Sequence, residues 1–312
     1  MIKFVVLRLL QTLPVLLGIS FISFAVMHVT PGDPAEIMLR ASGVQPSPEA
    51  VAAARAELGF DKPFYVQYGQ WLWRVLHLDM GVSVSSGRPV IDELLGRLPA
   101  TLLLAAGAIV ILLLIALPLG IASAVFPDGW IDRIGRAVAM ISVTMPGYWL
   151  GMLLLYYGAV KLQWFPVTGT DGYSGMLLPA CTLGFGLAGT YIRLIRASMI
   201  DALRQSYVSS ARARGLAEHI IVGSHALRNA LLPVMTLFGI HFGHLLGGAV
   251  VVETIFAWPG LGKYAIDAIF AKDYIVIQGY VLFMAVNVVI VNLMVDIGYQ
   301  MADPRIRLGK PV

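Results

Sequence analysis

The chain has 312 residues, of which 58% are hydrophobic and only 13% charged, with a formal net charge of +4 and one cysteine. A soluble domain carries about 25% charged residues, and a water-exposed chain of this length could not hide so much apolar surface. The composition therefore excludes a soluble protein and indicates an integral membrane one. The modest charge gives no reason to invoke nucleic acid. A single cysteine excludes an internal disulfide, and Cys181, in an apolar run, reads as a small buried thiol rather than a soft metal ligand.

Residues 1–29 carry Lys3 and Arg8 and then a long apolar run. It is long enough to span a bilayer, too long for a signal-peptide core and without a small-x-small cleavage site after it, so it is read as a retained first span. Pro14 is tolerable there because neighbouring helices can satisfy the freed carbonyl. Residues 30–99 form the largest polar insertion, a helical cap between the first two spans. Ser47-Pro48-Glu49 starts a helix over Ala50–Leu58: an N-cap Ser, Pro at the first position, an acid in the first turn, with a stop at Gly59. A second helix, Pro63–Leu78, carries Phe64, Tyr65, Tyr68, Trp71 and Trp73. Aromatics at this density suit a membrane interface, and they equally suit the cap's own core.

Further apolar blocks at Thr101–Phe126, Val138–Val160, Leu177–Tyr191, Leu231–Val252 and Ile275–Tyr299 complete a six-span, all-α core over residues 100–302, followed by a tail at 303–312. Thr144-Met145-Pro146-Gly147 predicts a break or kink in the third span. With six spans both termini share a side. Short segments on that side hold Lys3, Arg8, Arg133, Arg136, Arg193, Arg196, Arg204, Arg212, Arg214, Arg228, Arg305, Arg307 and Lys310; those opposite hold only Lys161, Lys263 and Lys272. The positive-inside rule puts both termini in the cytoplasm and the 30–99 cap outside.

The stretch from Arg193 to Pro233 is the one long basic segment between apolar ones. Tyr207, Val208, Ala211, Leu216, Ile220 and Ile221 recur among its arginines at helix-like intervals, an amphipathic pattern. Such a helix lies on a membrane surface or docks in a partner's groove; a plain basic cytoplasmic loop fits periodicity as well. No phosphate-binding G-x-x-x-x-G-K-[ST] loop is present, since Gly260-Leu261-Gly262-Lys263-Tyr264 lacks the spacing, the Ser/Thr and the preceding strand. In the fifth span Gly239, Gly243 and Gly247 form a small-residue stripe, and His241 and His244 lie beside each other away from it. Intramembrane imidazoles line a polar route or bond neighbouring helices. Asn287 is a further polar residue at membrane depth, with Ser142, Thr144 and Asn292. No metal site is assigned; His241 and His244 are candidates for transient contact only, because passage needs weak sites.

Ala211-Arg212-Ala213-Arg214-Gly215-Leu216 followed by Leu227-Arg228-Asn229-Ala230-Leu231-Leu232-Pro233 resembles the long form of the "EAA" loop of ABC importer permeases for peptides and nickel, with Ser209 and Ser210 standing where the consensus has Glu-Ala. Pro31-Gly32-Asp33-Pro34, Glu253-Thr254-Ile255-Phe256-Ala257-Trp258-Pro259-Gly260-Leu261-Gly262 and Asp303-Pro304-Arg305-Ile306-Arg307 extend the likeness along nearly the whole chain. The chain is similar to the B-type permease of dipeptide/oligopeptide/nickel ABC importers, and most similar to the nickel-type member through Phe256–Gly260 and the His241 span.

The resemblance implies a type I importer permease fold in a bacterial inner membrane, moving nickel or a metal chelate, with a dipeptide, oligopeptide or opine as the alternative cargo. It implies a second related permease, two ATPase subunits that bind ATP and magnesium, and a periplasmic or lipid-anchored substrate-binding protein. No cofactor is expected in this chain. Ala211, Arg212, Ala213, Arg214, Gly215 and Leu216 would form the ATPase-coupling helix; Asp33, Glu253 and Trp258 are candidate contacts for the delivering protein; His241, His244 and Asn287 are candidates for the translocation pathway. A self-contained secondary carrier would need membrane-embedded acids or an inverted repeat, neither evident in the spans. An intramembrane enzyme would need an H-E-x-x-H, Ser/His or paired-Asp signature, and none is present.

Overall fold

The computed structural model describes residues 2–29, 36, 39, 45–58, 61–169 and 172–302. The Pro31–Pro34 motif with Asp33, and the tail motif at 303–307, lie outside the described residues. The chain divides into two units, residues 1–99 with 263–293 and residues 100–262 with 294–312.

The first unit opens with α1 (Ile2–Val29). The predicted cap helices are present as α2 (Pro48–Leu58) and α3 (Phe64–Leu76). Ser47 caps α2 as its sequence position demands: its hydroxyl accepts the Ala50 N–H at 3.1 Å and its carbonyl the Val51 N–H at 3.0 Å. Trp71 of α3 is buried against Phe24 of α1 and Leu282, with Tyr68, Leu72 and Val75 packed around them. The aromatic residues therefore do form a core, and they form it on a membrane span. A tight turn at 83–88 is held by the Ser83 N–H to the Arg88 carbonyl at 2.9 Å. α12 (Tyr274–Ala302) starts beside it. Asp273 serves both: its carboxylate accepts the Val276 N–H at 3.3 Å at the start of α12, the Ser83 hydroxyl at 2.7 Å and the Ser85 N–H at 3.1 Å.

The second unit holds most of α4 (Val90–Val125), then α5 (Trp130–Thr144), α6 (Gly147–Leu154) running on as a π-helical stretch at Leu155–Lys161, and α7 (Gly172–Leu203). α8 (Ser206–Ala213), the single turn α9 (Glu218–Ile220) and a π-helical stretch at Ile221–Ala226 lead into α10 (Leu227–Ile255). α11 (Leu261–Phe270) follows and lies, but for its first two residues, in the first unit. The core is a seam of Leu112 and Ala116 on α4, Ala139 on α5, Tyr191, Ile192, Ile195 and Met199 on α7, and Ala230 and Val234 on α10. Small residues set its spacing. A Cβ on Gly189 would meet the Ala139 carbonyl and the Ser142 side chain, and the Gly189 N–H donates to the Ser142 hydroxyl at 2.9 Å. That hydroxyl donates to the Phe185 carbonyl at 2.6 Å, so Ser142 ties α5 to α7.

Among the described residues five helices are long and apolar enough to cross a membrane, or six if the α5–α6 pair counts as one. That pair corrects the third expected span. The break foreseen at Thr144–Gly147 is a bend of 103°, far beyond a proline kink. Met145 is extended and Pro146 follows it, the conformation a pre-proline residue prefers. Val138–Val160 is thus two short helices at a sharp angle. The fourth span is longer than Leu177–Tyr191: the helix runs over Gly172–Leu203, and Thr182, Gly184 and Gly189, which dilute its hydropathy, are buried inside the unit.

Candidate functional site: the coupling helix and the 253–262 turn

The basic loop folds as its periodicity predicts. Val208 and Ala211 of α8 are buried with Ile221, and Tyr207 and Leu216 pack around them. The helix ends in a Schellman turn. The Gly215 N–H donates to the Arg212 carbonyl at 2.9 Å, the Leu216 N–H reaches back to the Ala211 carbonyl at 3.3 Å, and Gly215 sits at φ +78°. A left-handed residue just past a helix is the usual place for glycine, which bears no Cβ penalty there. Leu216 then drops onto the Ala211 face and closes the motif.

Two further contacts fix the loop's return. Arg212 bridges to Glu218 across the turn, NH2 to Oε1 at 2.6 Å, and that hydrogen bond first, then the charge, raises the Arg212 pKa above its ordinary value. The Asn229 amide donates to the Tyr207 hydroxyl at 2.9 Å. What is left facing outward is Ser209, Ser210, Ala213, Arg214 and Gly215, all exposed. The six coupling candidates therefore split. Ala211 and Leu216 hold the element together, Arg212 braces it, and Ala213, Arg214 and Gly215 present its surface.

The 253–262 turn is a closed knot of hydrogen bonds. Glu253 is fully buried. Its carboxylate accepts the Thr101 hydroxyl at 2.7 Å and the Gly262 N–H at 2.7 Å, and its carbonyl accepts the Trp258 N–H at 2.8 Å. The Thr101 oxygen also accepts the Leu261 N–H at 2.8 Å. Gly260 has to be glycine because a Cβ would overlap the Glu253 carboxylate. Trp258, also buried, donates its indole N–H to the Ala100 carbonyl at 2.9 Å, and the Gly169 N–H donates to the Phe256 carbonyl at 2.8 Å. Glu253 and Trp258 were expected to face a delivering protein. In this structure both side chains point inward and build the turn.

Of the pathway candidates, His241 is half-buried on α10 with its ring edge-on to Tyr191 of α7, centroids 5.6 Å apart. The side chain of His244 lies outside the described residues. Asn287, on α12 of the first unit, is half-buried and donates to the Phe283 carbonyl of its own helix at 2.8 Å. Among the described residues no group of three His, Cys, Asp or Glu side chains converges as metal ligands would. Sequence reasoning missed the pair Asp132–Arg196, whose partners lie 64 residues apart. An acid in the first turn of α5 was the only local sign of it.

Residues 116–308 match the family model of the binding-protein-dependent transport system inner membrane component, and residues 1–105 match its N-terminal membrane component. The chain is 39% identical over 307 residues to the glutathione transport system permease protein GsiC of Salmonella choleraesuis (strain SC-B67), covering 98% of this chain and 99% of that one. It is 38% identical over 307 residues to GsiC of Escherichia coli (strain K12). Its fold is similar to the inward-facing MetNI methionine ABC transporter, with a TM-score of 0.57 and 16% identity over 67% of this chain and 96% of that one. The chain belongs to the binding-protein-dependent transport-system inner-membrane components, the permease subunits of ABC importers. It is accordingly a multi-pass inner-membrane protein and a non-catalytic subunit. ATP is bound by partner ATPases, and a binding protein delivers the cargo.

Proposed function

We propose that this permease carries a short peptide or peptide conjugate, and that α8 with the Gly215 turn is where the ATPase subunits drive it. The observation that carries the coupling reading is the shape of α8. Its apolar side is consumed by Ile221 and Leu216, its end is locked by the Schellman turn, and its outward face is small and basic. A helix so braced transmits a push without unfolding. In this reading both termini and α8 are cytoplasmic, as the distribution of Lys and Arg requires. A second related permease completes the pathway, to which His241, His244 and Asn287 contribute.

The cargo reading moves away from nickel. The likeness to nickel-type permeases rested on Phe256–Gly260 and the His241 span; among the described residues no group of metal ligands gathers, and Phe256 and Trp258 are buried structural members of a turn. They hold a backbone geometry that any cargo class can share. Relatives with 98% coverage of this chain bear a glutathione name, which supports the peptide alternative; nickel, a metal chelate or an opine rests on motif likeness alone. The test is substrate-stimulated ATP hydrolysis and uptake by the complete transporter in proteoliposomes. Glutathione and tripeptides are expected to stimulate both, whereas stimulation by a nickel chelate and not by peptides would reverse the assignment. Uptake by this chain without ATPases would remove the coupling reading.

A further inference from the structure

α3 has two apolar faces, and the described residues cover only one. On the covered side Phe64, Tyr68 and Trp71 stack on α1, with ring centroids 5.3, 5.5 and 5.5 Å from that of Phe24. The Tyr68 and Ser20 hydroxyls are hydrogen-bonded at 2.8 Å, and His28 meets Gln67 at 2.9 Å. On the other side Tyr65, Trp73, Leu76 and, just past the helix end, Leu78 are 74%, 66%, 69% and 67% exposed. Positions 65, 69, 73 and 76 recur at helical spacing and fall on one face, with Gly69 leaving it flat. Large aromatic and aliphatic side chains gathered this way do not face water without a partner.

The depth of α3 says what that partner is. α1 is apolar from Val6 to Val29. Ser20 lies nine residues before Val29, roughly 13 Å along the axis at 1.5 Å per residue, and Phe24 roughly 7 Å. A helix bonded to Ser20 and stacked on Phe24 rests within the last turns of a membrane span, below the headgroups. Beside it Phe21 of α1, exposed like Ile22 and Val26, meets Phe64 edge-on with ring centroids 5.8 Å apart. Cations flank α3: Lys62 precedes it and Arg74 sits in its last turn, both exposed. Their stems can lie along apolar surface while the charges reach lipid phosphate.

We propose that α3 is an interfacial helix whose Tyr65–Trp73–Leu76 face is covered by the lipid bilayer, in the leaflet at the C-terminal end of α1. Amphipathic helices of this make lie in the interface plane with their apolar face 5–10 Å into the headgroup–acyl boundary. The helix then anchors the cap to the membrane, and Trp and Tyr take the depth at which their polar tips stay wet. The delivering protein is left the parts of the cap that stand clear of it.

The test places a nitroxide at Tyr65→Cys and, separately, at Leu76→Cys, each with Cys181→Ser, in the complete transporter in nanodiscs of phosphatidylethanolamine and phosphatidylglycerol. Power saturation compares oxygen with a water-soluble nickel chelate as relaxing agents. The expected result is several-fold greater accessibility to oxygen at both positions, unchanged when the binding protein is added. Greater accessibility to the nickel chelate would show a water-facing surface and overturn the proposal. Shielding that appears only with the binding protein would assign the face to protein docking and overturn it equally. Two sites on one face keep the result readable if one variant does not assemble.

Discussion

Arg196 grips Asp132 with two prongs: Nε lies 2.7 Å from Oδ1 and a terminal guanidinium nitrogen 2.9 Å from Oδ2. Asp132 is fully buried in the first turn of α5, where the Asp128 N–H donates a third bond at 3.0 Å and Arg136 stands 3.5 Å away. Arg196 is about two turns from the end of α7, which leads almost directly into α8. The pair therefore makes α5 and the end of α7 that leads into α8 one body. Removing one partner of a buried pair costs roughly 3–5 kcal/mol because the other is left uncompensated. Asp132→Asn is expected to lower the thermal midpoint of the purified chain by several degrees. Arg196→Lys, which keeps the charge and loses the fork, is expected to lower it less. An unchanged midpoint in Asp132→Asn would show that the pair bears no load.

Gly215 tests coupling separately from folding. Its φ of +78° makes any side chain strained, yet a Cβ there would meet nothing within 4 Å. Gly215→Ala is expected to cost about 1 kcal/mol through backbone strain alone. Gly215→Asp adds a negative charge to a basic surface. It is expected to abolish substrate-stimulated ATP hydrolysis while leaving assembly intact, and Arg214→Glu is expected to do the same. Full stimulation in both charged variants would detach this surface from the ATPases.

Thr101 is the other half of the Glu253 knot, donating to the carboxylate and accepting from Leu261 with one hydroxyl. Thr101→Val keeps the volume and removes that relay. Each buried group left short of a partner costs roughly 1–3 kcal/mol, so thermal stability should drop clearly, and Thr101→Ser should restore most of it. Equal stability of the Val and Ser variants would mean the hydroxyl is not what closes the turn.

Tyr264 gives the chain an alkaline limit. Burial pushes its phenol up to about 12, Glu93 and Asp273 push the same way, and Arg97 opposes them from 4.4 Å over the ring. An unfolded tyrosine ionises near 10. The folded state thus holds a proton that the unfolded state releases, so this contribution to stability is full below about pH 10 and is lost as pH rises towards 12, by up to about 3 kcal/mol. Tyr264→Phe should flatten the decline in thermal midpoint between about pH 10 and 12. A decline identical to that of the parent protein would assign it to other groups.

What the sequence made legible and what it hid follow from range. The α8 pattern, the Ser47 cap and the break before Pro146 are local, set by side-chain period, capping chemistry and proline sterics, and each is found where the residues put it. The angle of that break is not local: a proline predicts interruption, and only packing fixes 103°. The roles of Glu253 and Trp258 were hidden for the same reason. The family resemblance made the acid and the tryptophan candidate contacts for a partner, but Thr101 and Ala100, which hydrogen-bond them, lie more than 150 residues away. The Asp132–Arg196 pair was invisible as a pair, since each member alone is an ordinary charge in a short polar segment beside a span.

His241 carries the sharpest test of the pathway. Its ring packs edge-on against Tyr191, itself buried in the seam that joins α7 and α10, so a bare His241→Ala would open a cavity and confuse packing with transport. His241→Phe keeps an aromatic ring at that site and removes only the imidazole nitrogens. If the imidazole contributes to a polar route, His241→Phe combined with His244→Ala should reduce uptake several-fold while the complex assembles and its thermal midpoint stays near that of the parent. If the imidazole serves packing, uptake should match the parent, since the phenyl ring fills the same space. A fall in stability together with uptake, reversed by His241→Gln, would place the residue among interhelical hydrogen bonds instead and take it out of the route.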